Sequence, residues 1–156
     1  MNIKLIMIGK TTDKKYSDII NDYVGRINHY IRFTVNTIPG LKNTKSLSKN
    51  QQKQAESELI IKMIEPSDTV ILLDERGTEF RSIELAQWLQ KKQIKTKKLV
   101  FIIGGPYGFS DILYKRADEM ISLSKLTFSH QMIRIIFTEQ LYRACTIIKG
   151  ESYHHE

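Results

Sequence analysis

The chain has 156 residues, of which 41% are apolar, and this size and composition suit one domain with a buried core. The formal net charge of +7 indicates a basic surface, which attracts polyanions such as RNA, DNA or anionic lipid. The single cysteine, Cys145, excludes an intramolecular disulfide, and no stretch approaches the roughly 18 apolar residues that a membrane span needs.

Three elements are predicted in the first part of the chain. The nearly continuous apolar run Ile3 to Ile8 is typical of a buried strand. Apolar residues at helical spacing predict a helix from Asp13 to Asn28, with Thr11 or Thr12 available as its N-cap. The segment Arg32 to Ile38 alternates with a period of two and stops at a Pro-Gly pair, so it is predicted to be a second strand.

The middle of the chain predicts another helix followed by buried strands. Ser48 and Gln51 have the spacing of a capping box, so we expect a helix to begin there and to continue to Ile64. The β-branched, apolar runs Thr69 to Asp74 and Lys98 to Ile103 are typical of strands that are covered on both faces.

Three further elements complete the prediction. Between those two strands, Ser82 can cap a helix whose apolar residues extend to Leu89. Met120 to Leu123 is a shorter strand candidate, and His130 to Lys149 is predicted to be a long, mostly apolar helix that Gly150 closes.

This alternation of strands and helices predicts an α/β fold with a mostly parallel sheet and helices on both faces. No repeat or linker divides the sequence, so residues 1–156 are predicted to form a single domain. The N-terminal segment lacks a small-residue cleavage site and does not have the pattern of a signal peptide, which favours a cytoplasmic protein.

Three segments follow strands whose carboxyl ends should lie at one edge of the sheet. They are Leu73 to Gly77, Gly104 to Gly108 and Leu123 to Phe128. Open α/β sheets bind ligands at this edge, although a glycine-rich tight turn is the alternative explanation for the second segment. Backbone donors beside apolar side chains suit a nucleoside cofactor, and they would also suit many other small ligands.

Other sequence patterns that could indicate a phosphate-binding loop, a metal site or a nucleophile have ordinary explanations. Gly9-Lys10-Thr11 lacks the spacing of a phosphate-binding loop, and the histidines have no CxxC or HExxH partner set, so no metal site is predicted. Cys145 lies among apolar residues and is interpreted as a packed thiol.

Charged residues leave further alternatives open. Glu139 and Arg143 stand four residues apart, which favours an ion pair or, equally, a functional arginine. The last residues, from Ser152 onwards, would ordinarily be a frayed end. Two basic stretches can be a solvated face or a polyanion-binding surface; they comprise Lys42, Lys45, Lys49 and Lys53, and Lys91, Lys92, Lys95, Lys97 and Lys98.

Taken together, five segments resemble one known family. They are IKLIMIGK, TVILLDERG, IIGGPYGF, SLSKLTFSHQMIRIIFTEQLYRA and KGESYHHE, and they are the anchors of a match that runs over nearly the whole chain. The chain resembles the bacterial large-subunit (23S) ribosomal RNA (pseudouridine-N3)-methyltransferases of the SPOUT, or α/β-knotted, superfamily.

The resemblance implies a C-terminal deep trefoil knot and an S-adenosylmethionine site at that knot. The matching donor-site residues are Leu73, Gly104, Gly105, Leu123, Ser124, Lys125, Leu126, Thr127 and Phe128. It also implies a cytoplasmic homodimer without membrane attachment, acting on ribosomal RNA in the assembled ribosome or large subunit. The C-terminal tail of one subunit would help to complete the site of the other.

Methylation of a ring nitrogen requires alignment of the base and removal of its proton. We therefore expect Arg143 to stabilise negative charge on the base, with Tyr153 and His154 of the partner subunit orienting the base or relaying the proton. Two alternatives stay open, namely a ribosome-associated RNA-binding factor without catalysis and an α/β enzyme for a small anionic metabolite.

Overall fold

The computed structural model describes residues 1–155 and is built around one five-stranded sheet. A short 3-10 turn, Thr44–Ser46, precedes the second helix. In chain order the elements are β1 (Asn2–Ile8), α1 (Lys14–Ile27), β2 (Phe33–Ile38), α2 (Lys49–Ile61), β3 (Thr69–Glu79), α3 (Ser82–Lys95), β4 (Lys98–Ile103), α4 (Asp111–Arg116), β5 (Glu119–Ser122) and α5 (Met132–Lys149).

The strands lie in the order β2-β1-β4-β3-β5, and every neighbouring pair is parallel. All carboxyl ends of the strands therefore meet at one edge. The part of β3 that follows Leu73, where its pairing with β5 is irregular, and the loops that follow β4 and β5 come together there, because these three strands are adjacent in the sheet. The predicted parallel α/β fold is confirmed.

Alternate side chains of each central strand enter two separate apolar layers. On β4, Leu99, Phe101 and Ile103 pack in the layer that contains α1, α3 and α5. The intervening Val100 and Ile102 pack in the layer that contains α2 and α4. Full burial of an aliphatic side chain contributes about 1.5–3 kcal/mol, so burial on both faces explains why these strands are continuous apolar runs. Helices on both faces are thus also confirmed.

Helix caps were predicted with mixed success. The capping box of α2 is confirmed, because the backbone N–H of Gln51 donates to Ser48 Oγ over 3.1 Å and Ser48 N–H donates to Gln51 Oε1 over 2.8 Å. The predicted threonine caps of α1 are wrong, since Asp13 Oδ1 accepts from Lys15 N–H at 2.8 Å. Thr11 and Thr12 instead bond to residues of α5.

Ser82 is also not a cap. It is the first residue of α3, the N-cap position belongs to Arg81, and the Ser82 hydroxyl bonds to Gln140 on α5. The Ser82 hydroxyl therefore bonds to a side chain of α5 and does not cap the N-terminus of α3.

The region around β3 and β5 departs most from the sequence prediction. β3 continues to Glu79 after an irregularity in its pairing with β5 between Leu73 and Thr78. Within this stretch a Cβ at Gly77 would lie 2.6 Å from the backbone of Met120 and Ile121, so only glycine permits the close approach.

The ends of the last elements shift by one or two residues, and one element was not predicted. β5 ends at Ser122 and α5 begins at Met132, and Gly150 closes α5 in the left-handed conformation with φ 71°. The short helix α4 spans only Asp111–Arg116, which is less than two turns and gives no readable periodicity. None of the helices described within residues 1–155 is long and apolar enough to cross a membrane.

Candidate functional site

A cleft of about 790 Å³ opens at the carboxyl edge of β3, β4 and β5. Its volume falls within the range of small-molecule and cofactor sites. Apolar side chains from the three strand ends and from α5 form part of its lining, namely Leu73, Ile103, Ile121, Leu123 and Ile133. The cleft therefore lies where the parallel order of the strands predicted a ligand site.

Eight of the nine predicted donor-site residues line this cleft: Leu73, Gly104, Gly105, Leu123, Ser124, Leu126, Thr127 and Phe128. The ninth, Lys125, is exposed and does not belong to the lining. The structure thus brings together three segments that are separated by about 20 to 30 residues in the sequence.

Helices supply cleft residues that sequence reasoning did not select. Lys53 comes from α2, Tyr114 from α4, and His130 directly precedes α5. Of these, only Lys53 could have been selected from the sequence, since it belongs to a basic stretch without aspartate or glutamate. The others depend on which helix packs at the open edge, and this is decided by tertiary structure rather than by local sequence.

One wall of the cleft is fixed by an interaction between Asp74, Arg76 and Tyr114. The Tyr114 hydroxyl donates to Asp74, and the Arg76 guanidinium lies 4.5 Å from the centre of the Tyr114 ring. Burial, together with Asp74, raises the pKa of Tyr114 to about 12. Although burial alone would raise the pKa of Asp74, hydrogen bonds from Tyr114 and Arg76 hold it below its usual value. Asp74 therefore stays ionised and Tyr114 stays a hydrogen-bond donor.

The glycine loop after β4 rests on a buried carboxylate of α2. A Cβ on Gly105 would overlap the carboxyl group of Glu56, whose side chain is only 4% exposed. Gln52 Nε2 donates to Glu56 Oε1 over 3.0 Å, which restricts movement of that carboxylate. On Gly104 a Cβ would lie 3.1 Å from the ring of Phe109. A side chain at either glycine would therefore have to displace Glu56 or Phe109 beneath the loop.

The segment after β5 is shaped by its own serines. Ser122 Oγ donates to the Ser124 carbonyl over 2.9 Å, and the Leu126 N–H donates to Ser124 Oγ over 2.9 Å. The backbone N–H groups of Thr127 and Phe128 have no acceptor within residues 1–155. These two donors are available to a ligand in the cleft.

α5 is attached to the end of β1 immediately beyond this segment. Arg134 is fully buried and its guanidinium donates to the carbonyls of Ile8 and Gly9, over 2.6 and 3.0 Å, and to Thr11 Oγ1 over 3.0 Å. Gln131 adds two hydrogen bonds to the same loop. These contacts fix the position at which the chain leaves the cleft.

The predicted catalytic residues form a second group, on the C-terminal half of α5. The Arg143 guanidinium donates to Glu139 Oε1 over 2.6 and 3.2 Å, which confirms the predicted ion pair. Arg143 Nη1 lies 3.2 Å from His154 Nδ1, and the guanidinium lies 4.8 Å from the centre of the Tyr153 ring. The Tyr153 hydroxyl donates to Glu139 Oε1 over 3.0 Å. We call Glu139, Arg143, Tyr153 and His154 the tail cluster.

The interpretation of the tail as a frayed end is wrong up to His154, because Glu151, Tyr153 and His154 all contact the body of the domain. Tyr153 packs against Tyr142 with ring centres 4.7 Å apart, and Glu151 accepts a hydrogen bond from Tyr30. Glu156 lies outside the described residues. None of the tail cluster lines the cleft of the same chain.

The environment of the tail cluster determines the charge of its members. The hydrogen bond to Glu139 raises the pKa of Arg143, so the guanidinium remains charged. Burial, followed by hydrogen bonds with Tyr23 and Glu139, raises the pKa of Tyr153 above its usual value. Tyr153 is therefore a neutral hydrogen-bond donor at physiological pH and not a base.

Comparison with known proteins places the whole arrangement in a family. A family model described as "Predicted SPOUT methyltransferase" matches residues 1–154. The chain belongs to the SPOUT methyltransferase family. A solved structure, that of a probable methylase family protein from Haemophilus influenzae Rd KW20, aligns with 99% of the chain and 71% of its own length at a TM-score of 0.56 and 13% identity. At that identity the likeness concerns the fold.

Curated SPOUT relatives match over their full length. A protein from Bacteroides fragilis is 57% identical, with 100% of both chains covered, and one from Christiangramia forsetii is 55% identical, with 99% of both covered. A relative from Flavobacterium johnsoniae is 52% identical, again with 100% of both covered. Each is named "Ribosomal RNA large subunit methyltransferase H".

Cys145 has no direct place in this SPOUT site. It lies on α5 and is buried in the apolar layer that α5 shares with α1 and α3, and burial raises the pKa of its thiol to about 12. A thiol that stays protonated and inaccessible is a poor nucleophile, so its interpretation as a packed side chain is confirmed.

Proposed function

We propose that this chain is an S-adenosylmethionine-dependent methyltransferase that modifies N3 of a pseudouridine in 23S ribosomal RNA. The observation that carries the proposal is the cleft at the ends of β3, β4 and β5, in which eight of the nine predicted donor-site residues converge. Full-length relatives named as ribosomal RNA large subunit methyltransferases support the choice of substrate.

The cleft fits S-adenosylmethionine in size and in chemistry. Leucine and isoleucine side chains offer an apolar surface for the adenine and for the methionine chain, and the free N–H groups of Thr127 and Phe128 offer donors for polar atoms. Carboxylates of Asp74 and Glu75 line the same space and complement a positive charge. When bound, the donor supplies a methyl group activated by its sulfonium.

The tail cluster supplies the groups that act on the base. N3 of pseudouridine carries a proton, and its loss places negative charge on the ring. The Arg143 guanidinium stabilises that charge, and the neutral Tyr153 hydroxyl would exchange its hydrogen bond with Glu139 for one to the base, which orients the base. His154, in contact with Arg143, positions the base or accepts the proton.

We also propose that the active form is a homodimer, in which the tail cluster of one subunit faces the cleft of the other. The cluster does not line its own cleft, although catalysis needs both. Between them on α5, Met132, Ile135 and Ile136 are half-buried and belong to neither apolar layer. A second copy of the chain would cover this apolar strip.

The C-terminal chain path supports the knot implied by the family. After β4, the chain passes to α4 on the face that also carries α2. After β5, it returns to α5 on the opposite face, where Arg134 is anchored at the end of β1. Both connections begin at the edge of the sheet that forms the cleft, so a knot made from them would coincide with the donor site. A ribosomal substrate places the protein in the cytoplasm.

Calorimetry with S-adenosylmethionine tests the proposed cofactor. We expect saturable binding of one donor per protomer, because each chain carries its own cleft. Absence of heat at high micromolar donor would favour an RNA-binding factor without catalysis. Donor binding without transfer to any RNA would instead favour an enzyme for a small anionic substrate.

A further inference from the structure

A basic and aromatic surface lies beside the mouth of the cleft. It comprises Lys49, Lys53 and Tyr107, together with Lys42 and Lys45 of the connection from β2 to α2 at the same edge of the sheet, and we call it the α2 rim. Lys53 and Tyr107 line the cleft, and Lys49 Nζ lies 5.7 Å from the centre of the Tyr107 ring. The start of α2 and the glycine loop therefore form one continuous edge.

The lysines of the α2 rim are not neutralised. No aspartate or glutamate occurs from residue 41 to 55, and within residues 1–155 none of these four lysines forms an ion pair. The second basic stretch differs, because Lys92 pairs with Glu119 and Lys98 pairs with Asp68 and Glu65. Part of that stretch has a structural function, whereas the charge of the α2 rim remains available.

Helix stability does not explain the rim lysines. Lys49 is the first residue of α2, and the first turn contains no acidic residue. The positive end of the helix dipole lies at this end, so basic side chains there are unfavourable. An anionic ligand would gain from the lysines and from the helix end together.

Tyr107 adds a flat apolar surface to this charge. It lies in the tight turn between Gly105 and Gly108, and 43% of it is exposed. Exposed aromatic rings interleaved with lysines are the usual platform for single-stranded nucleic acid, in which bases stack and phosphates pair with cations.

We propose that the α2 rim binds single-stranded RNA next to the target nucleotide, with its lysines on the phosphates and Tyr107 stacked on a flanking base. This inference rests on the proposed function and extends it from the reacting base to the surrounding RNA. The α2 rim would guide the target nucleotide into the cleft from the side of α2, while the tail cluster of the partner subunit acts on its base.

Two triple variants of equal charge separate the rim from a general effect of net charge. Lys42, Lys45 and Lys49 are replaced by Gln in one, and the exposed Lys91, Lys95 and Lys97 in the other. Each lowers the formal net charge from +7 to +4, since three positive charges are removed. The affinity for a single-stranded RNA that contains pseudouridine is measured against salt concentration, with anionic vesicles as a second ligand.

The salt dependence is measured as the slope of log K against the logarithm of salt concentration, where K is the RNA association constant. Each phosphate contact in single-stranded RNA contributes roughly 0.7 to the magnitude of this slope, so we expect the rim variant, which loses three lysines, to reduce it by about 2. The matched variant should change the slope by less than half as much. Equal slopes for the two variants would overturn the proposal. So would an RNA affinity unchanged by the rim variant with loss confined to vesicles.

Replacement of Tyr107 tests the stacking component. Tyr107→Ala should weaken RNA binding by about ten-fold, whereas Tyr107→Phe keeps the ring and should bind like the wild type. Equal binding by all three proteins would remove Tyr107 from the RNA surface. Because the readout is RNA affinity, RNA binding through the rim without methyl transfer would leave this inference standing and would refute only the proposed function.

Discussion

Removal of the residues after Gly150 is expected to abolish methyl transfer while preserving the sheet and most donor binding. The truncation takes away Tyr153 and His154, which contact Arg143 and Glu139, but it removes nothing from the cleft of the same subunit. Loss of the ring contact between Tyr153 and Tyr142 should cost about 0.5–1.5 kcal/mol of folding free energy. Transfer of labelled methyl groups, thermal unfolding and donor calorimetry measure the three quantities.

A matched substitution controls for disturbance of the tail. Ser152 lies in the same segment and is exposed, so Ser152→Ala should retain nearly wild-type transfer. Full activity of the truncated homodimer would show that the tail has no catalytic part.

Mixed dimers test how the site is shared between subunits. The sequence-based expectation pairs Arg143 of one subunit with Tyr153 and His154 of its partner, but Arg143 and His154 are in contact within one chain. We therefore expect them to act as one unit on the partner's cleft. A dimer of one Arg143→Ala subunit and one truncated subunit should stay inactive, because both units are broken. A truncated subunit paired with one whose cleft is disabled should regain about half of the sites, since one intact unit then faces one intact cleft. Recovery in the first mixture would show instead that Arg143 serves its own cleft.

Gly105→Val should disable the cleft and weaken donor binding by roughly ten- to hundred-fold, as expected for overpacking of about 1–3 kcal/mol. Because the family resemblance assigns Gly105 to the donor site, a valine there could crowd the donor directly. The structure gives another reason, namely overlap with the buried Glu56, which would force the glycine loop to move. Calorimetry measures the affinity, and circular dichroism should show nearly unchanged helical content.

Two further variants examine this explanation. Gly25→Ala lies within α1 with open space around its Cβ, so it should leave donor binding unchanged and slightly stabilise the helix. Gly105→Ala introduces only the Cβ that would overlap Glu56. If this overlap is the cause of weak donor binding, adding Glu56→Ala to Gly105→Ala should restore donor affinity. An affinity that the second substitution does not improve would indicate direct crowding of the donor.

The sequence predicted those features that depend on local pattern or on the order of parallel strands. β1, β4 and the first half of β3 are largely apolar because both faces are covered, and the positions of these apolar runs were predicted. Convergence of the three strand-end segments followed from the parallel sheet, and only exposed Lys125 falls outside the cleft.

Features that depend on long-range packing were not predicted from pattern. Tyr114 and His130 reach the cleft only because α4 and α5 pack at its edge. Thr11 and Ser82 do not cap helices as expected, because both bond to side chains of α5. The tail is likewise held in place by a hydrogen bond from Tyr153 to Glu139. The sequence pattern predicted only the pairing of Glu139 with Arg143.

Methylation of assembled ribosomes and of isolated large subunits with labelled S-adenosylmethionine, followed by mapping of the labelled nucleotide, tests the central claim most directly. Wild-type protein should place the label on N3 of a pseudouridine in 23S ribosomal RNA, and the Arg143→Ala homodimer should place almost none. Donor binding without label in ribosomal RNA, or label on a nucleotide other than a pseudouridine, would contradict the account.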